Sequence, residues 1–127
     1  MSLLAVTFFS TIFFAGLAFS AERKFQIHST KQVTPNVERF YGKDGSAFAT
    51  LFCQGDTAQV MIVDSRLTDL DGKNFFFESL TKCLEGRKTA RELHKKCTVS
   101  LEINQAQTSA LIHAAGCNSN SGLQHSK

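Results

Sequence analysis

Residues 3 to 19, from Leu3 to Phe19, carry no charge, and their only hydroxyl side chains are Thr7, Ser10 and Thr11. A core helix would show a polar stripe along one face, and this run has none. Charge begins abruptly at Glu22-Arg23-Lys24. Just before it, Ala18-Phe19-Ser20 and Gly16-Leu17-Ala18 place small residues at the spacing that export peptidases cut, after Ser20 or after Ala18. Residues 1–20 are therefore expected to be a signal peptide, although Met1-Ser2 supplies no Lys or Arg to precede the apolar run. A retained anchor is the rival reading, and the run falls short of the ~20 apolar residues that cross a bilayer.

Past this segment the pattern becomes alternating. Lys24 to Ser29 set Phe25 and Ile27 against Gln26 and His28, the period of a half-buried strand. Residues 30 to 46 are polar, hold the only proline, and read as a long connection with a short strand at Val37–Tyr41 and a turn at Lys43-Asp44-Gly45-Ser46. Ala47–Gln54 and Thr57–Val63 flank Gly55-Asp56, the signal of a tight hairpin, with Leu51 expected opposite Val60 and Ala49 opposite Ile62. Phe48, Phe52, Met61 and Val63 make the second face apolar too, so the hairpin should be covered on both sides or lie inside a sheet.

Residues 64 to 74 are polar, with a turn at Asp71-Gly72. A helix is expected from the N-cap Asn74 to a stop at Gly86, with Phe76, Leu80, Cys83 and Leu84 on one face and Phe75 and Phe77 widening it. A second short helical stretch is expected over Thr89–Lys95. Val99, Leu101 and Ile103 then alternate with polar residues through Cys97–Asn104, and Ser109–Cys117 should return antiparallel. Read with a slightly long loop, Ile103 meets Leu111, Val99 meets Ala115, and His113 shares the inward parity. Residues 118–127 lack apolar pattern and read as a flexible tail.

The expected architecture is thus α+β: a single domain over residues 21–117, with a mostly antiparallel sheet of about five strands, one main helix packed on it, and two disulfides. Cys53, Cys83, Cys97 and Cys117 are even in number and follow an export-type segment, which favours bridges over metal. No C-x-x-C pair supports a zinc site. Three connectivities are open, and 53–83 with 97–117 is preferred because it ties the helix to the first hairpin and closes the second.

Charge adds one feature. Between Lys82 and Lys96 six cations face Glu85 and Glu92, a net +4 that exceeds the +3 of the whole chain. Lys82, Arg87, Lys88, Arg91, Lys95 and Lys96, with His94 among them, form a candidate surface for an anionic protein, glycan or lipid surface. No aromatic interleaves with them, so nucleic acid bases lack a stacking platform.

A calcium loop needs oxygen ligands at fixed positions around Gly72. Asp69, Asp71 and Glu78 fit such a loop, but Leu67 stands at its first position. P-loop, dinucleotide, H-E-x-x-H and G-x-S-x-G signatures do not occur, and nothing implies a cofactor.

The leading expectation is an exported, secreted or periplasmic, non-catalytic binding or inhibitory module without a membrane span after signal removal. The alternatives are a small hydrolase using His113 or His28 beside a carboxylate such as Asp64, and an envelope structural or assembly protein with an exposed apolar sheet edge.

Overall fold

The computed structural model describes residues 21–117. The expected leader, 1–20, and tail, 118–127, lie outside the described residues. Eight strands and one helix follow in the order β1 (Ala21–Gln26), β2 (Ser29–Thr34), β3 (Val37–Tyr41), β4 (Ala47–Phe52), β5 (Gln59–Ile62), β6 (Asn74–Phe76), α1 (Leu80–Leu93), β7 (Thr98–Asn104) and β8 (Ala110–Ala115). They form two antiparallel sheets, β2-β3-β4-β5-β6 and β1-β7-β8, where the sequence pattern had suggested one sheet of about five strands.

The sheets are joined at both flanks. The run from β1 into β2 changes sheets at Ile27-His28. Ile27 N–H donates to Val99 O at 2.8 Å, and His28 N–H donates to Tyr41 O at 2.9 Å. On the opposite flank Phe76 and Ser109 make a parallel bridge, with Phe76 N–H donating to Thr108 O at 3.0 Å. The strands therefore follow one another around a ring.

The facing sides of the two sheets hold the core. Phe40, Leu51, Val60, Ile62 and Phe75 come from one sheet, Leu101 and Ile103 from the other, and all are fully buried. Fully burying one such side chain contributes about 1.5–3 kcal/mol.

The β4–β5 hairpin has the expected register, Leu51 opposite Val60 and Ala49 opposite Ile62. Its turn closes through Thr57 N–H to Gln54 O at 2.8 Å, with Gly55 at φ +50°, a conformation that favours glycine. As the apolar second face required, β4 lies inside its sheet, between β3 and β5.

Four expectations are corrected. Residues 29–34 form a strand rather than a connection: β2 pairs with β3 around Pro35-Asn36. Its residues are polar because it is an edge strand with mostly exposed side chains.

Asn74–Phe76 is strand, not the start of a helix. Phe75 and Phe77 are buried while Phe76 is 55% exposed, which is period two. The helix begins after Ser79, whose hydroxyl accepts from Lys82 N–H at 3.1 Å.

Gly86 does not stop this helix, and the separate stretch expected over Thr89–Lys95 is its continuation to Leu93. Gly86 is instead a close-approach position. A Cβ there would lie 2.9 Å from Ile112 Cδ1 and 3.2 Å from Ile112 Cβ. Cys83, Gly86 and Ala90 are the buried, small face that lets α1 settle onto β8.

The β7–β8 register is one residue away from expectation, pairing Ile103 with Ala110, Leu101 with Ile112 and Val99 with Ala114. The Asn104 side chain accepts from Thr108 N–H and Ser109 N–H, and Gln107 adopts φ +57°, which fixes the tight loop. A one-residue slip reverses every side chain. Ile112 therefore points inward, and His113 is exposed rather than in the core.

Cys53 bonds Cys83, with Cα atoms 5.6 Å apart, and Cys97 bonds Cys117. For separations of 30 and 20 residues, chain-entropy arguments give about 3–4 kcal/mol for each bridge.

Candidate functional site

The cations of residues 82–96 fall into two groups. Three are engaged close to home. Lys82 Nζ lies 3.7 Å from Glu85 Oε1, and Arg87 Nη1 donates to Pro35 O at 3.0 Å in the β2–β3 turn. Arg91 reaches the buried acid Glu38, whose side chain is only 2% exposed. Its Nη2 and Nε donate to Glu38 Oε1 at 2.6 and 3.1 Å, and Nη2 also reaches Gln32 Oε1 at 3.3 Å. Thr30 donates to the other carboxylate oxygen at 2.7 Å. These bonds raise the Arg91 pKa above its ordinary value, the hydrogen bond to Glu38 being the largest cause. Arg91 thus neutralises a buried acid and stitches α1 to β2 and β3.

The second group is free for other work. Lys88 is exposed on α1 and makes no ion pair among the described residues. His94, Lys95 and Lys96 follow the last helical turn. Lys96 N–H and Cys97 N–H both donate to Leu93 O, at 3.0 and 2.8 Å, which turns the chain sharply toward β7. His94 Nδ1 lies 2.8 Å from Ala90 O. A carbonyl can only accept, so Nδ1 carries the proton and Nε2 is left for a ligand or water.

These three residues line an open cleft of ≈ 540 Å³. Its other wall is the point where the chain changes sheets, and it brings in His28 and Ser29. Gln26, Thr98 and Gly116 complete the polar lining, and the Cys97–Cys117 bridge anchors one end. Among the described residues no carboxylate lines this cleft. The arrangement follows from the fold: the chain parts from β7 at the Ile27-His28 corner as β1 gives way to β2, and the residues after α1 line the cleft beside that corner. Nothing in the spacing of His28 and His94 marks them as neighbours, because only the corner brings them together.

A second cleft of ≈ 510 Å³ lies on the other side of Gln26, which lines both. Here Arg66 is held by Asp44 at 2.7 Å and Asp64 at 2.9 Å. The Asp44 carboxyl is pulled down to about 2, first by the Ser46 backbone N–H and then by Arg66. Asp64 is lowered chiefly by its hydrogen bond from Arg66, and the Arg66 pKa is raised in return.

The other candidates separate. Asp64 belongs to this second cleft, apart from His28. His113 stands exposed on the outer side of its sheet, opposite Ser100, with no side-chain hydrogen bond between them. Asp69, a position of the calcium-like loop, is taken by Arg23 at 2.7 Å, which lowers its pKa. Among the described residues no three His, Cys, Asp or Glu side chains converge as a metal site would need. Among the same residues no helix is long and apolar enough to cross a membrane. No protein family, no curated protein and no solved structure matches this chain.

Proposed function

We propose that this protein is an exported, non-catalytic binding module that holds an anionic group in the cleft between the β1–β2 corner and the end of α1. The carrying observation is the composition of that cleft. Two imidazoles and two ammonium groups come from two separate segments, hydroxyl and amide groups share the lining, and among the described residues no acid joins it. Like charges held side by side repel, and an anion relieves that repulsion. Two disulfides support an oxidising destination outside the cytoplasm. The engagement of Lys82, Arg87 and Arg91, together with the position of Lys88 outside the cleft lining, narrows the proposed binding residues from the whole basic segment to His94, Lys95 and Lys96, with His28 added.

The test is a titration of the oxidised protein with a sulfated oligosaccharide, followed by calorimetry at low and moderate salt. Lys95→Gln/Lys96→Gln should weaken binding at least tenfold while Lys82→Gln changes it less than twofold. Equal affinity of all three proteins would overturn this reading.

A further inference from the structure

The two clefts share Gln26, and the strand that carries it has an outward row. Lys24, Gln26 and His28 are all exposed, while Ile27 between them is buried and Phe25 is partly so. Lys24 and Lys43 line the second cleft, and His28, Lys95 and Lys96 line the first. Arg66 in the second cleft is held by Asp44 and Asp64, a cluster of net −1 that offsets one of the two lysines and leaves the lining at net +1. Glu102 lies opposite Lys24 across the strand pair, which answers part of that charge and leaves Lys43 as the stronger anchor. From Lys24 to His28 the backbone advances at most about 13 Å, at ~3.3 Å per residue.

We infer that the two clefts form one tract that binds a linear acidic polysaccharide running across the β1–β2 corner. This rests on reading the first cleft as an anion site, and it names the ligand. A single small anion would leave Lys24 and Lys43 unused, whereas a chain with regularly spaced sulfate or carboxylate groups meets cations on both sides of Gln26. Gln26, Ser29 and Thr98 match the hydroxyls between those charges. Nucleic acid is disfavoured because neither phenylalanine that lines the tract is free to stack on a base. Phe48 is 5% exposed, its ring is 6.0 Å from that of Phe25, and Arg23 covers Phe25 at 5.5 Å.

The experiment compares a heparin-derived disaccharide and octasaccharide on the full oxidised chain, with Lys24→Gln/Lys43→Gln and Lys95→Gln/Lys96→Gln variants. Thermal melts check that each variant folds. The octasaccharide should bind at least tenfold tighter than the disaccharide. Lys24→Gln/Lys43→Gln should weaken the octasaccharide about three- to tenfold, the scale of two exposed charge contacts, and the disaccharide less than twofold. Lys95→Gln/Lys96→Gln should weaken both. If Lys24→Gln/Lys43→Gln has no effect while Lys95→Gln/Lys96→Gln weakens both sugars, the tract is wrong and the single-cleft reading stands. If neither pair of substitutions matters, both readings fall. Tighter binding of a single-stranded oligonucleotide of equal charge, or of phosphatidylserine vesicles, overturns the choice of polysaccharide.

Discussion

Arg91→Met removes the only cation among the described residues that meets the Glu38 carboxylate, and the consequence can be worked from the packing. Glu38 is 2% exposed and would keep one neutral donor, Thr30 at 2.7 Å. Breaking a fully buried ion pair by deleting one partner costs about 3–5 kcal/mol, mostly because a charge is left without its counter-ion. The Arg91 side chain is 36% exposed, so water can enter where it lay. That lowers the expectation to about 2–3 kcal/mol, below the fully buried range. For a domain of this size it corresponds to a fall in Tm of roughly 10–20 °C.

Glu38→Met alone should cost less, since Arg91 can swing to solvent. Glu38→Met/Arg91→Met should return to within about 1 kcal/mol of the native protein, because the buried charge is gone along with its partner. Urea unfolding of the four proteins forms a double-mutant cycle. Additive losses in the double variant, or a loss under about 0.5 kcal/mol for Arg91→Met, would refute the claim that this pair offsets a buried charge.

Two further outcomes follow from the same geometry. Gly86→Ala should destabilise by about 1–2 kcal/mol despite the better helix propensity of alanine, since the added methyl meets Ile112 at 2.9–3.2 Å. Gly86→Ala/Ile112→Val should recover part of that loss in the same unfolding assay, because the nearer contact is with Cδ1. The carboxyls of Asp44, Asp64 and Asp69 have folded pKa values below their unfolded ones, so their stabilisation is fully present above about pH 4. It should fade as pH falls toward the folded Asp44 value of about 2. Thermal melts between those limits should show Arg66→Gln flattening this dependence, and an unchanged acid profile in that variant would count against the cluster.

Much of the fold was legible where burial alternates cleanly. Leu51, Val60, Ala49 and Ile62 fixed the β4–β5 register, and Val99, Leu101 and Ile103 marked the inner face of β7. Legibility failed where one residue type serves two periods. The run Phe75-Phe76-Phe77 fits a helical arc or a strand equally by composition, and only the exposure of Phe76 separates them. β2 was hidden because an edge strand with few inward positions has no apolar rhythm. The β7–β8 register turned on Gln107 at positive φ, which the sequence does not announce. Of the site, the basic cluster at His94-Lys95-Lys96 was visible as charge, but the engagement of Arg91 by Glu38 and the arrival of His28 depend on contacts between distant segments.

The ring of strands has a bearing on how the molecule is made. β1, the first strand, finds its partner in β7, near the end of the described chain, with Phe25 opposite Leu101. A polypeptide emerging from its amino end must therefore hold β1 unpaired until almost everything else has appeared, and such distant pairings form slowly. The β4–β5 hairpin, α1 and the 53–83 bridge can assemble earlier, leaving the inner faces of β7 and β1 to close last. A late-closing chain of this kind suits passage across a membrane in unfolded form, and it is during that interval that its apolar strands are most open to misassembly.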